Sequence, residues 1–171
     1  TEMMKEEPET YTAFYTSFGR ILKEGLHLDW ENADKLKALL LFRSAKQENN
    51  GFLSLKAYVE AMPASQKEIY YLIADDLATA RQSPHIEALL RHGYDVLFFT
   101  DAIDQWVAER LTEFDGKKLV AVDKGTLELG TEEEKAETKK RIETADAEFR
   151  ELSAFLKDCL KEKIGEVKLS T

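Results

Sequence analysis

The 171-residue sequence has one cysteine, three prolines and eight dispersed glycines. A single thiol, Cys159, cannot close an internal disulfide; within AFLKDCLKEK it reads as a small half-buried helical side chain. A reducing compartment, the cytoplasm, is the expectation. The glycines form neither Gly-x-Gly-x-x-Gly nor Gly-x-x-x-x-Gly-Lys, so no phosphate-cradling loop is present. No apolar run approaches the roughly 20 residues of a membrane helix. The opening TEMMKEEPET is acidic and lacks the pattern of a secretory signal. Positive charge is also short: 24 Lys and Arg against 33 Asp and Glu leave a net charge of −9. That is the wrong sign for neutralising nucleic-acid phosphates or anionic lipid, so neither nucleic acid nor membrane is expected as a partner. His27, His85 and His92 are scattered, with no Cys-x-x-Cys or His-Glu-x-x-His spacing, and read as exposed or helix-end residues. There is no Gly-x-Ser-x-Gly elbow and no cysteine with a basic partner nearby in sequence. No catalytic, cofactor-binding or metal-ligating residue is assigned, and this segment is not expected to be an enzyme.

What is present is periodic. Tyr11, Phe14, Tyr15, Phe18, Ile21 and Leu22 follow helical spacing as one apolar stripe, read as core, with Gly25 placed to end the helix. A second helix is predicted from about Asn32 to Arg43, Leu36, Leu39 and Leu40 facing inward. KQENNG is a loop. Ser54 can cap a short helix through Met62, which Pro63 stops. Then the pattern changes. EIYYLIA and YDVLFF are continuous β-prone runs of the kind covered on both faces. ATARQ is weakly helical, Ser83–Pro84 reads as an N-cap and first helical position, and Gly93 ends that helix. A helix from about Ala102 to Phe114, the turn DGKK and a third strand, LVAV, follow. Strand, helix, strand, helix, strand implies parallel pairing with right-handed crossovers.

DKGTLELG reads as a linker, and Thr131 with Glu134 has capping-box spacing for a long charged helix. Ile142, Phe149, Leu152, Leu156 and Leu160 give that helix a narrow apolar stripe, and Gly165 can end it. The last run, GEVKLST, reads as the start of a strand with nothing to pair against, so a piece of a longer protein is expected. The fold class is α/β: a helical coil (residues 1–62), a small three-layer α/β/α unit with a short parallel sheet (63–123), then a linker, long helix and strand (124–171).

One acidic arrangement offers a rival reading. Asp75 and Asp76 follow the first buried strand and Asp101 the second, where α/β folds bind ligands. Two acids and an acceptor aspartate resemble the magnesium and phosphorylation site of a response-regulator receiver. Receivers have five strands, and three are counted here. The competing reading makes these acids helix N-terminal residues favoured by the backbone dipole.

The blocks LLLFRSAK, SLKAYVEAMPASQKEIYYLIADD, SPHIEALLRHGYDVLFFTDAIDQW and LTEFDGKKLVAV resemble the heat shock protein 90 chaperones, most of all their bacterial branch. The resemblance runs from about Pro8 to Thr171 and matches the end of the middle domain and the first elements of the C-terminal domain. It implies a parent that is an ATP-driven, dimeric, stress-response chaperone of non-native client proteins, with co-chaperones as further partners. Its ATP and Mg²⁺ would be held upstream, and its dimer contacts would lie downstream. Two departures stand out: AKQENNGF differs from the pattern, and Gln105 stands where many members carry Glu.

The resemblance also gives a site. On a helix of about 100° per residue, Ile103, Val107, Leu111 and Phe114 cluster on one side, and Trp106 lies near the stripe's edge beside Ala102, Glu109 and Glu113. Trp106 is either a boundary residue packed on its own subdomain or a half-exposed aromatic ringed by polar groups, the look of a binding hot spot. The family resemblance implies client contact at Gln105, Trp106 and Glu109. The remaining alternatives are a nucleotide-binding small α/β domain and a passive spacer between ATPase and dimerisation parts.

Overall fold

The computed structural model describes residues 2–29, 31–47, 49, 51–124 and 149. Residues 1–127 form one compact unit and 128–171 a second; the elements below all belong to the first. Apart from Phe149, the expected long helix from Thr131, its Gly165 stop, Cys159 and the GEVKLST strand lie outside the described residues, as does the linker from Gly125 onward.

A short helix, α1 (Glu2–Glu6), precedes α2 (Pro8–Leu28), which Pro8 opens at its first turn. Gly25 does not end α2; the helix runs on to Leu28. A Cβ at Gly25 would sit 3.4 Å from Leu36 Cδ1, an ordinary contact distance, so Gly25 lies against the next helix. The expected apolar stripe is corrected as well. The buried line is Tyr11, Tyr15, Gly19, Lys23 and Leu26, while Phe14, Phe18 and Ile21 are exposed. Both flanks of this helix carry large apolar residues. The sheet selects the flank where Gly19 lets the Tyr15 ring lie flat, a Cβ there falling 2.7 Å from that ring.

The second helix is shorter than predicted. α3 (Ala33–Leu39) ends where Leu40 turns extended (φ −72°, ψ 139°), and Leu41–Ser44 is a strand, β1. The Tyr11 hydroxyl donates to the Leu39 carbonyl at 2.6 Å, taking up one of the carbonyls a helix end leaves open. A helix would bury one face of Leu40-Leu41-Phe42-Arg43-Ser44. As a strand, the run buries Leu41, Phe42 and Ser44 together. β2 (Leu53–Ser54) pairs with it, and the Ser54 side chain caps α4 (Leu55–Glu60) by accepting from the Ala57 N–H at 3.1 Å, as predicted.

The strands EIYYLIA and YDVLFF form β3 (Ile69–Ile73) and β4 (Val96–Phe99), joined by α5 (Leu77–Arg81), a 3-10 turn (Pro84–Ile86) and α6 (Glu87–Arg91). Ser83 makes no side-chain cap. Gly93 ends α6 at φ +75°, the left-handed position expected of it. After β4 comes α7 (Asp104–Arg110), then β5 (Glu113–Phe114) and β6 (Lys117–Ala121). The helix predicted to Phe114 stops sooner because residues 113–118 make a hairpin. Asp115 and Gly116, both at positive φ, form its two-residue turn.

Among the described residues the sheet has six strands, in the order β2-β1-β4-β3-β6-β5. The three predicted strands are its parallel middle, Tyr70 pairing with Val96 on one side and Val120 on the other. β1 joins β4 antiparallel, Arg43 opposite Phe98, and the hairpin adds the far edge. The core stacks Phe42 on Phe99 and Phe99 on Tyr71, each at 4.7 Å between centroids. Behind it the buried Tyr58 hydroxyl donates to the Asp95 carbonyl at 2.5 Å and accepts from Gln66 Nε2 and the Tyr70 N–H.

Candidate functional site

α7 is a helix with one committed face. Ile103, Val107 and Leu111 are buried against the sheet and α2, while Gln105, Trp106 and Glu109 are exposed. At 100° per residue these three fall within one arc of about 100°. Phe114, assigned to the same inward stripe from the sequence, sits half-buried in β5 instead. Trp106 is 57% exposed. Its ring meets the His27 imidazole of the last turn of α2 at 5.8 Å between centroids and 30° between planes. The indole therefore touches its own domain at His27 and leaves more than half of its surface open.

The helix is anchored by charge. Lys23 of α2 is 5% exposed, and its ammonium lies 2.6 Å from Asp101 Oδ2 and 2.7 Å from Asp104 Oδ1. Asp104, 1% exposed, also accepts the Asp101 N–H at 3.0 Å, and the Asp104 N–H bonds back to the Asp101 carbonyl at 2.8 Å. Burial pushes the Asp104 carboxyl above the usual carboxylate range, against the pull of Lys23. The pair thus fixes the first residue of α7 to α2, two residues before Trp106.

This arrangement settles the acidic residues. Asp101 is held by Lys23. Asp76 caps α5 through the Thr79 N–H at 2.8 Å, a bond that lowers its carboxyl below the usual range, and Asp75 is exposed. Asp76 and Asp101 thus serve separate local roles. No group of three or more His, Cys, Asp or Glu able to hold a metal occurs among the described residues. A cleft of about 370 Å³ opens at the carboxyl end of β4, lined by Tyr15, Gly19, Arg20, Lys23, Arg43 and Asp101. Its cations are already engaged: Lys23 as above, Arg20 with Glu24 at 3.0 Å, and Arg43 stacked 3.9 Å over Phe52. His85 is exposed, and His92 sits at the end of α6 with its ring nitrogen 2.8 Å from the Ala88 carbonyl. Lys23 and His27 were not legible as site residues. The spacing Tyr11, Tyr15, Gly19, Lys23 was the available signal for Lys23.

This mixed α/β unit, a helical coil laid on a short sheet with a parallel middle, resembles the middle domain of a heat shock protein. The middle domain of a Plasmodium falciparum heat shock protein matches with a TM-score of 0.65 and 35% identity, over 72% of this chain and 53% of that one. The chaperone protein HtpG of Geobacter metallireducens is 46% identical over all 171 residues, and that of Geobacter sulfurreducens 46% identical over 170. HtpG of Alkalilimnicola ehrlichii is 42% identical over 171. The chain spans 26% of the length of each of these curated relatives. The HSP90 family model (Hsp90 protein) matches residues 1–171. The chain belongs to the HSP90 family. That membership overturns the receiver reading of Asp75, Asp76 and Asp101.

Proposed function

We propose that this segment presents a client contact of an ATP-driven, dimeric chaperone, with Trp106 as the anchor and Gln105 and Glu109 as its polar rim. In this reading the parent's ATP and Mg²⁺ are bound by other parts of the polypeptide. The segment, divided at residues 62/63 and 123/124, couples those parts to the dimer contacts. Support comes from family membership and from one observation above all: an indole 57% exposed on a helix whose opposite face is fully committed to the core. Tryptophan suits a loose, broad client preference. It offers a large apolar area with few rotors to freeze and an N–H that tolerates water. The exposed glutamine and glutamate beside it can accept or donate to client backbone that has lost its own partners.

The test measures two quantities on one variant. Trp106→Ala should weaken binding to a permanently unfolded protein by about 1–2 kcal/mol, in the range of a modest hot spot. Its fold stability should fall by much less than the roughly 3–5 kcal/mol of a buried Trp→Ala change. A large loss of melting temperature without a separable binding defect contradicts the client contact. Unchanged binding with an intact fold leaves the segment as a spacer.

A further inference from the structure

We propose that His27 is a positioning residue for the Trp106 contact, holding the indole in one orientation so that a client meets a preformed aromatic face. The inference rests on the client reading above and adds to it a residue from another element. The two rings pack at 5.8 Å and 30° although they come from different helices, the last turn of α2 and the first turns of α7. The indole stands 57% exposed, and Gln105 and Glu109 beside it are exposed too.

His27 itself is set by packing. Its Nδ1 is buried with no hydrogen-bond partner among the described residues. The ring forms one wall of a cleft of about 180 Å³ whose other walls are Leu26, Ala33, Lys37 and Arg110. The Lys23–Asp104 pair, four residues earlier on α2, keeps the two helices in register, so a ring fixed on α2 is fixed relative to α7. An exposed side chain that must be immobilised on binding loses roughly threefold to tenfold in affinity, and one already immobilised does not. The imidazole lies beside the indole at that tilt, and the indole keeps 57% of its surface open for the client.

The experiment uses the full chain with Trp30→Phe, so that Trp106 is the sole indole. Acrylamide quenching reports how covered the ring is, and titration with reduced, alkylated lactalbumin reports client affinity. His27→Ala should increase quenching and weaken binding by about threefold, the lower end of the ordering cost. His27→Phe, which keeps a flat ring, should restore both. Should His27→Ala lower the melting temperature, the contrast between His27→Gln and His27→Phe carries the same comparison. Unchanged affinity in His27→Ala overturns the positioning role, whether or not quenching rises, and so does failure of His27→Phe to rescue. If Trp106→Ala weakens binding while His27→Ala does not, this inference alone fails. If Trp106→Ala has no effect, the client reading fails and this inference with it.

Discussion

Lys23 shows how a single residue departs from what its type predicts. Lysine is among the residues least often buried, yet here it is 5% exposed between two aspartates and 5.5 Å from the centre of the Phe42 ring. Breaking such a pair from one side leaves an uncompensated buried charge. Lys23→Met should therefore cost about 3–5 kcal/mol of stability in urea unfolding, much of it recovered in the double change Lys23→Met/Asp104→Leu. A cost below about 1 kcal/mol would place the pair in surface-like solvent. The Asp104 carboxyl adds a pH dependence of defined sign. Its folded value lies above the ordinary one, so its contribution is fully present below the ordinary carboxylate value and is lost as pH rises through the raised one. Asp104→Asn should flatten that part of the stability profile; a profile identical to that of the parent chain contradicts the assignment.

Among the elements, α2 and β1 separate what the sequence discloses from what it does not. Ser54 capping α4, Gly93 ending α6, and the buried strands β3 and β4 were all legible, because each depends on chemistry within a few residues. The strand at Leu41–Ser44 was not. Leu36, Leu39 and Leu40 have good helical spacing, and pairing with Leu53 and Ser54 on one side and with Phe98, more than fifty positions on, on the other makes the following residues a strand. The buried face of α2 failed for the same reason. Phe14, Phe18 and Ile21 outweigh Tyr11, Tyr15 and Gly19 on any local count of apolar residues, but Gly19 is where the Tyr15 ring fits. Gly19→Ala should test this. Although alanine is the better helix former, the clash with a buried ring should make the change destabilising by about 1–3 kcal/mol in thermal unfolding. A stabilising outcome would show that Tyr15 can leave its place freely.

At the scale of the whole molecule, the candidate site joins two levels of information. The polar character and helical position of Gln105, Trp106 and Glu109 were readable along the chain, together with the family resemblance. Whether Trp106 was core or rim was not, because its helical angle placed it at the boundary, and its ring neighbour, His27, is 79 positions away and looked like an ordinary helix-end histidine. The resulting picture is a coil and sheet on which Trp106 is the most exposed of the aromatic side chains Phe14, Phe18 and Trp106 that α2 and α7 leave open. It suits a segment spanning about a quarter of its curated relatives. A non-native chain should meet this protein at that ring. The most direct measurement follows the two indole N–H signals of the isotopically labelled chain while an unfolded protein is added, with Trp30→Phe identifying which signal is which. Trp106 should shift or broaden first and most, together with the backbone amides of Gln105 and Glu109. Perturbation centred elsewhere, with the Trp106 signal unmoved at saturating client, would contradict the account.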